Sequence, residues 1–536
     1  MSRACWLSTI YLPCVLAAAV MWVPAATAQA YAPTFANAGF EEGDAGQEPP
    51  GWSLAGPNAA EYRVEVTQDT PSGGRQCARL FRDPAAAPIG EGEQRYGALQ
   101  QELDAAPFRG KCVRLQASVR VGAGAPPTRA SLWLSVGRPD GHLGHYDSTA
   151  DGEIAGTEWS GYEALADVAE DANTVTLGVA LRGGGSVLVD DVSLLVVGPS
   201  RVPPINPGFE EGKPGGRVLG WMMAGNQQGE YLAEVTRERP REGGQCAHIY
   251  RDPAAPPTAE AEGRFGTLVQ GCDATPYRGQ CVRFRAAVRL AETAALPEAQ
   301  LWIRADCPGG RMGSFDNMDG REIIGTEWAD YEVLCDVPSD AEGIALGIIL
   351  GGAGEAFMDD VSLEIIGEAR TPPVNAGFED GELGSGPSGW IGGGGAYSVE
   401  VTREGPHSGL QCAKLLGDAR AFDDAAIPVP GTAERSGSLV QLVDSGPFRG
   451  KQVRLRAHAR LADVTPAPRA HLVFDIDRPG GKDAPGDNAP PVAGAEWAPY
   501  EIVVDVADDA MALWIGVELS GTGEAFIDDV SLEVVE

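Results

Sequence analysis

The sequence predicts an all-β protein made of three tandem antiparallel β-sandwiches of the jelly-roll type. The first observation is a repeat: residues 37–43 (NAGFEEG) return as 206–212 (NPGFEEG) and as 375–381 (NAGFEDG), in steps of 169 residues. The second is an alternation of apolar and polar residues, as in 113–120, which is typical of half-buried strands. The third is the punctuation of such runs by turn clusters such as 183–185 (GGG), without sustained helical periodicity.

The same period applies to the end of the unit, because the DDVSL of 190–194 recurs at 359–363 and 528–532. A unit this long can bury its own core, unlike a solenoid repeat of 20–50 residues that needs its neighbours. We therefore expect three domains, which we call modules one, two and three. Their predicted bounds are 33–198, 202–367 and 371–536. Pro-Pro steps between them favour short, semi-rigid linkers.

The charge balance and the N-terminus predict an exported protein. The chain has 41 basic and 76 acidic residues, a net charge of −35, which argues against nucleic acid or an anionic membrane as partner. Residues 1–28 have the pattern of a secretory signal, with Arg3, an apolar stretch and a small-x-small step that ends at Ala28. We expect a secreted or periplasmic chain, cleaved near Ala28. After this segment the sequence contains no run of 18 apolar residues, so we expect no integral membrane anchor.

Cysteine positions leave two interpretations open. Cys77 and Cys112 occupy the same module positions as Cys246 and Cys281, so each pair could form a disulfide in an oxidising compartment. The alternative is that these cysteines are small buried hydrophobes on strands. In module three Cys412 matches Cys77, but a glutamine stands at the position of the partner.

Several motifs together resemble a known family. Each module opens with Asn-x-Gly-Phe-Glu and continues with a Gly-Trp step, at Trp52, Trp221 and Trp390. Each closes with Trp-x-x-Tyr and then Asp-Asp-Val-Ser-Leu. From end to end, each module resembles the carbohydrate-binding modules of families 4, 9 and 22, within the galactose-binding-like jelly rolls. The resemblance implies a sugar-binding β-sandwich with a structural calcium ion.

Acidic residues at both ends of each module are candidate calcium ligands. Like charges that approach one another need a cation or a basic group between them, and calcium takes hard oxygen ligands. The resemblance implies the same metal, held by the first Asp of the Asp-Asp step and by groups at the Phe-Glu opening. The predicted ligands are Glu41 and Asp190, Glu210 and Asp359, and Glu379 and Asp528. The alternative is that these acids are solvated in turns or paired with arginine.

Glycoside hydrolysis also uses paired carboxylates, but the pattern does not favour catalysis. Three identical active sites in tandem on a repeated scaffold would be unusual. The six histidines never occupy one position in all three modules, and no Ser-His-Asp, HExxH or Walker pattern is present. We predict that the chain is not an enzyme.

Tryptophans divide into two groups. Trp52 and Trp159, with their equivalents, recur beside turn residues and are predicted to fill the core. Trp133 instead shares a strand face with polar Ser131, and Trp302 does so with Gln300. A tryptophan on a polar face can stack on a sugar ring. The alternative is that both lie under a loop as satellite core.

The strand with Arg114 and Gln116 would extend this face into one polar platform if it lay in the same sheet. In module three Val473 replaces the tryptophan, and Trp514 on another strand is the substitute. The predicted ligand-binding residues are Trp133, Ser131, Arg114, Gln116, Trp302, Gln300, Arg283, Arg285 and Trp514.

These observations predict a secreted, non-catalytic carbohydrate-binding protein that attaches multivalently to polysaccharide or cell-surface glycan. The alternative is an exported structural or adhesive scaffold, whose modules bind other surface proteins or act as spacers. An open groove beside Trp133 and Trp302 favours the first function, and covered rings favour the second.

Overall fold

The computed structural model describes residues 35–89, 95–122, 128–139, 143–152, 154–200, 203–226, 229–255, 264–292, 298–393, 397–417, 436–462 and 468–535. The predicted signal segment, 1–28, lies outside the described residues. Within these ranges no helix has both the length and the apolar character that a membrane crossing requires.

Module one consists of two five-stranded antiparallel sheets packed face to face. Its strands are β1 (Ser53–Ala55), β2 (Tyr62–Thr67), β3 (Cys77–Arg82), β4 (Tyr96–Asp104), β5 (Lys111–Val121), β6 (Arg129–Gly137), β7 (Leu143–Ser148), β8 (Ser160–Val168), β9 (Thr174–Arg182) and β10 (Ser186–Pro199). We call the sheet with the order β1-β4-β9-β6-β7 the front sheet, and the sheet with the order β2-β3-β10-β5-β8 the back sheet.

Module two repeats this topology, with the front order β11-β14-β19-β16-β17 and the back order β12-β13-β20-β15-β18 once its strands are numbered along the chain. They are β11 (Met222–Gly225), β12 (Tyr231–Thr236), β13 (Cys246–Arg251), β14 (Phe265–Asp273), β15 (Gln280–Leu290), β16 (Glu298–Cys307), β17 (Arg311–Asp316), β18 (Ala329–Asp336), β19 (Gly343–Gly351) and β20 (Glu355–Glu368).

Module three has the same arrangement again, β21-β24-β29-β26-β27 in front and β22-β23-β30-β25-β28 behind. Its strands are β21 (Ile391–Gly393), β22 (Tyr397–Thr402), β23 (Cys412–Gly417), β24 (Ser436–Val443), β25 (Gln452–Leu461), β26 (Arg469–Arg478), β27 (Gly481–Asp483), β28 (Ala498–Asp505), β29 (Ala512–Ser520) and β30 (Gly523–Val534). Short 3₁₀ turns connect some strands: Ala59–Glu61, Ala106–Phe108, Thr149–Gly152, Thr275–Tyr277, Pro308–Gly310, Gly446–Phe448 and Pro485–Asn488. The prediction of antiparallel β-sandwiches is confirmed.

Each core lies between the two sheets and is built from the inward half of the alternating strands. In module one Leu115 on β5 and Leu132 on β6 are fully buried, whereas the residues next to them along each strand point outward. The tryptophan of the Gly-Trp step closes one end of the core. The Trp52 ring packs against Phe40 with centroids 5.0 Å apart, and its Nε1 donates to the carbonyl of Asn37. Trp52 and its equivalents therefore fill the core, as predicted.

The cysteines are free and buried throughout the described chain, so the disulfide interpretation is wrong. Both cysteines of the first candidate pair lie beside β10, but near opposite ends of it. Ala78, next to Cys77, pairs with Val189, whereas Cys112 pairs with Gly198. At about 3.3 Å per residue, these positions on β10 are roughly 30 Å apart, far beyond disulfide reach. Cys246 and Cys281 are separated along β20 in the same way.

A buried arginine joins each pair of successive modules. Arg138, 7% exposed, donates to Asp171 in its own module and to Asp273 in module two. At the second joint Arg311, 3% exposed, donates to Asp340 and to Asp444 of module three.

An apolar cluster supports the first of these joints. It contains Cys112, Leu165, Ile205 and Leu219. Ile205 and Leu219 belong to module two, and the other two belong to module one. The apolar packing and the charge-assisted hydrogen bonds together hold neighbouring modules in a defined arrangement.

Candidate functional site

The predicted polar platform does not exist, because its two halves lie on opposite sides of the sandwich. Trp133 is on β6 in the front sheet, whereas Arg114 and Gln116 are on β5 in the back sheet. In module two Trp302 is likewise on β16 in front, and the arginine row is on β15 behind. Alternation along each strand predicted the outward face correctly, but it carried no information about which strands share a sheet.

The back-sheet polar residues are occupied by neighbouring acids. Arg114 binds Glu211 of module two and lies 3.9 Å from Glu163, which also accepts from Gln116 Nε2 at 2.9 Å. Arg114 therefore serves the joint between modules rather than a ligand.

The equivalent arginines of module two are occupied in the same way. Arg283 binds Glu364 at 2.9 Å, and Arg285 binds Asp330 at 2.7 Å. A sugar would have to displace these acids to bind the back-sheet row, which does not favour the prediction for these residues.

Trp133 lies on the outward face of the front sheet and is half-buried. It pairs with Gly178 on β9, and Gly178 pairs in turn with Gln100 on β4, so the indole and the amide share one row across the sheet. A Cβ on Gly178 would lie 2.4 Å from the carbonyl oxygen of Leu99, so only glycine fits there. Gly178 is itself buried, whereas Trp133 and Gln100 on either side of it are half-buried.

Two tyrosines lie on the same face: Tyr146 on β7 (37% exposed) in the neighbouring row, and Tyr96 on β4 (39% exposed) four residues along the strand from Gln100. Ser135 pairs with Tyr146, while the predicted Ser131 is buried. We call Tyr96, Gln100, Trp133, Ser135 and Tyr146 the front face of module one. It combines exposed aromatic rings with amide and hydroxyl groups, the chemistry that holds a sugar ring and its hydroxyls.

Trp302 has the same position in module two but a different environment. It is only 8% exposed, and its Nε1 donates to Thr267 Oγ1 at 2.8 Å. The Phe315 ring lies 6.5 Å away. Gln300 is 3.5 Å from Glu322 Oε1. Trp302 is thus packed, in agreement with the alternative interpretation, and presents little ring surface to a ligand.

Module three carries a charged front face. Val473, at the tryptophan position, is buried. Trp514 on β29 is half-buried, and its Nε1 donates to Asp477 Oδ2 at 2.7 Å. Asp475 beside it pairs with Lys482 at 2.6 Å. Three modules of one topology therefore present three different front faces.

The acids predicted to bind calcium instead bind the backbone of one turn. Asp190 Oδ2 accepts from the N–H groups of Ser72 and Gly73 at 2.9 and 3.1 Å, and its Oδ1 accepts from Asp191. Glu41 Oε1 accepts from the N–H groups of the next residues in the turn, 75 and 76, at 2.6 and 3.0 Å. Burial raises the pKa of Asp190, whereas the backbone donors lower that of Glu41.

The same contacts recur in the other modules. Asp359 accepts from the N–H groups of 241 and 242, and Glu210 from those of 244 and 245. Asp528 accepts from 407 and 408, and Glu379 from 410 and 411. Carboxylates whose oxygens face N–H donors do not fit a calcium ion, which needs converging oxygen ligands. Calcium stays a prediction, and these contacts do not support it.

The opening and closing motifs are explained by backbone geometry. Asn37, Phe40 and Asp191 have left-handed φ values of 51°, 53° and 49°, as do their equivalents in the other modules. The Asn37 side chain closes the opening loop by bonding both the N–H and the carbonyl of Glu42. The Val192 N–H then donates to the carbonyl of Ala38 and ties the closing strand to that loop. The repeated acids and asparagine are thus structural.

Trp159 is not part of the core, contrary to the prediction. It is half-buried at the surface, its Nε1 donates to the carbonyl of Thr70 at 2.8 Å, and the Arg120 guanidinium lies 5.0 Å from its ring. The equivalent pairs are Trp328 with Arg289 and Trp497 with Arg460. This tryptophan clamps the turn that the acids bind.

One cluster was missed by the sequence analysis. His407, His458 and Asp529 meet on module three, although 51 residues separate the two histidines. Linear spacing carries no signal for such a group. Because the histidines do not recur among the modules, the repeat pattern also gave no reason to select them.

Comparison with known proteins gives distant similarities. No family model matches the chain. A curated relative, the uncharacterized HTH-type transcriptional regulator YbfP of Bacillus subtilis (strain 168), is 28% identical over 177 residues, which cover 31% of this chain. The match spans 58% of the length of that relative.

Similar solved structures include carbohydrate-binding modules. The N-terminal CBM22-1–CBM22-2 tandem domain of Paenibacillus barcinonensis Xyn10C is 16% identical with a TM-score of 0.23, and the match covers 61% of this chain and 96% of that one. The C-terminal family 22 module of Clostridium thermocellum Xyn10B is 17% identical with a TM-score of 0.23, covering 31% and 93%. TmCBM61 in complex with β-1,4-galactotriose is 18% identical with a TM-score of 0.22, covering 31% and 99%. At these identities and TM-scores, the similarities carry no argument about a ligand of this chain.

Proposed function

We propose that the chain is an exported, non-catalytic carbohydrate-binding protein that attaches to a polysaccharide or glycan surface. The observation that carries the proposal is the front face of module one. Trp133 is half-buried in one row with Gly178, which carries no side chain, and with half-buried Gln100 on the far side. An indole stacks on the C–H face of a sugar ring, while a neighbouring amide bonds its hydroxyl groups.

The face suits an extended ligand. Tyr96 and Tyr146 lie on the same side of the sheet, on strands to either side of β9 and β6, and both are among the exposed large aromatic side chains. A glycan that crosses the strands would meet a tyrosine, the Trp133 row and the second tyrosine. Such a surface binds a polymer chain at several rings rather than enclosing a single small molecule.

Differences among the front faces suggest a division of labour. Module one has a half-buried tryptophan with two exposed tyrosines on the same face, module two has its ring packed against Thr267, and module three has acids and Lys482 beside Trp514. The ionic joints at Arg138 and Arg311 hold the modules in fixed relation. Modules that engage one polymer together would gain avidity of roughly 10²–10⁴ over a single site.

The contacts of the paired acids support a non-catalytic role. Retaining and inverting hydrolases both need one carboxylate free to donate a proton and another free to act on the sugar or on water. The acids at the module ends instead accept two or three backbone N–H bonds each.

A polysaccharide pull-down and a glycan array with the mature chain test the proposal. Wild type, Trp133→Ala and Trp514→Ala are compared, and each variant is first shown to melt as a folded protein. We expect retention of the wild type on at least one polysaccharide and loss with Trp133→Ala. If folded wild type is retained on none, the carbohydrate function is wrong and the scaffold that binds other surface proteins takes its place.

A further inference from the structure

Module three carries a group of three metal-ligand side chains at its surface. His407 precedes β23, His458 lies on β25 and Asp529 lies on β30. His407 Nδ1 is 2.6 Å from Asp529 Oδ2, and His458 Nδ1 is 4.0 Å from the same oxygen. The three ligand atoms all lie within 4.8 Å of one another.

A β-bulge brings these residues together. Strands β25 and β30 are neighbours, but their register shifts between Arg456, which pairs with Ser531, and His458, which pairs with Asp528. The extra residue is Asp529, whose left-handed φ of 50° turns its side chain out beside His458. His407 is held above them because its backbone N–H donates to Asp528 Oδ2 at 2.9 Å.

The two imidazoles present nitrogen atoms to the carboxylate. Their rings are stacked with centroids 3.6 Å apart and planes 10° from parallel. His458 Nδ1 is buried, has no hydrogen-bond partner and lies on the side of the ring that faces Asp529 Oδ2. Two imidazoles and a carboxylate form a donor set typical of zinc.

The cluster belongs to module three alone among the three equivalent positions. The residue whose N–H binds the first Asp of the closing motif is Ser72 in module one, Arg241 in module two and His407 in module three. The residue that pairs with that Asp on the neighbouring strand is Ser118, Ala287 and His458, respectively. The second Asp is common to all three modules, so module three differs from the other two in the two histidines.

We propose that module three binds one divalent transition-metal ion, zinc, through His407 Nδ1, His458 Nδ1 and the carboxylate of Asp529. Three protein ligands leave a fourth tetrahedral position for water or for a ligand atom of another molecule. All three side chains are about one-third exposed, so an ion reaches them from solvent. Zinc–nitrogen bonds of about 2.1 Å lie in the plane of each ring, so binding splays the stacked histidines apart.

The test is calorimetric titration of the mature, metal-stripped chain with zinc chloride at pH 7.5. We expect one zinc ion per chain and no competition from calcium, which prefers oxygen ligands. Cobalt in place of zinc should give the absorption bands of a tetrahedral site. His407→Ser and His458→Ser install the residues that module one carries, so folding is retained, and each should weaken zinc binding about tenfold or more.

Matched controls come from the same chain. Asp360→Asn in module two and His471→Ala on the front sheet of module three should leave zinc affinity unchanged. Ser72→His and Ser118→His together should create a second zinc site in module one, so that the chain binds two zinc ions. The proposal is overturned if the wild type binds no stoichiometric zinc, or if folded His407→Ser and His458→Ser bind it as the wild type does.

Discussion

Trp133 faces Gly178 across the β6–β9 pair, and Gly178 places no side chain against the half-buried indole. Module two repeats the pair as Trp302 and Gly347, yet there the indole reaches Thr267 and is covered. The same two residue types therefore give an accessible ring in one module and a packed ring in the next.

This contrast gives the first prediction. Trp133→Ala should lower the affinity of the chain for its glycan about tenfold or more, because stacking and apolar burial are worth roughly 1.5–3 kcal/mol, and should leave the melting temperature nearly unchanged. Trp302→Ala should instead destabilise module two by roughly 3 kcal/mol or more, because it empties a packed site. Calorimetric titration and thermal melting separate the two effects. Unfolding of module one by Trp133→Ala would show that Trp133 is core and would remove the basis of the binding face.

The second prediction concerns the acids at the module ends. Asp190→Ala leaves three backbone N–H groups without an acceptor and should destabilise module one by about 1–3 kcal/mol. Since turn amides already occupy these oxygens, we expect excess chelator to leave the melting temperature of the wild type unchanged. The contrary result is a melting temperature that falls in chelator and recovers when calcium is added. If Asp190→Ala abolishes this response, the calcium ion that the family resemblance implies is established.

The third prediction concerns the joints between modules. Removal of Arg138 leaves Asp171 and Asp273 close together without their shared cation, so Arg138→Ala should loosen the first joint. We expect small-angle scattering to report a longer and more variable particle. Arg478→Ala is the matched control, because Arg478 pairs only with acids of its own module, Asp483 and Asp509, in the described contacts. Identical scattering from Arg138→Ala and the wild type would show that the remaining contacts, which include the apolar cluster and the Arg114–Glu211 and Arg217–Asp147 pairs, are enough to fix the joint.

The fourth prediction is a pH dependence at the second joint. Asp319 of module two accepts from the Gly392 N–H of module three at 2.8 Å, and burial raises its pKa to about 6. A carboxyl with a raised pKa binds its proton more tightly in the docked state, so the stability of the joint should rise as the pH falls from 7 towards 4. The gain should be of order 1–3 kcal/mol. Thermal melting of the wild type and of Asp319→Asn at pH 7 and pH 5 measures this gain in stability. An equal pH dependence of the melting temperature in both proteins would contradict the prediction.

The fifth prediction concerns the thiols. Burial raises the pKa of Cys77, Cys246 and Cys412 to about 12, so these thiols should not react at neutral pH while the modules are folded. A thiol reagent should label them only after unfolding in denaturant. Mass spectrometry of the non-reduced protein should find no bridge between Cys77 and Cys112, and finding one would contradict the strand register.

The sequence by itself determined the β-sandwich class, because alternation along a strand is a local property that fixes which side chains face inward. It also placed Trp52 in the core, since the Gly-Trp step recurs beside the same turn. It could not assign strands to sheets: β5 and β6 are consecutive along the chain yet lie in opposite sheets, which separated Arg114 from Trp133. It could not tell Trp133 from Trp302, because the covering of a ring depends on residues from other strands. The tertiary structure alone decided that the repeated acids bind backbone amides and that His407 and His458 meet at Asp529, because both follow from a turn and a bulge that bring distant residues within bonding distance.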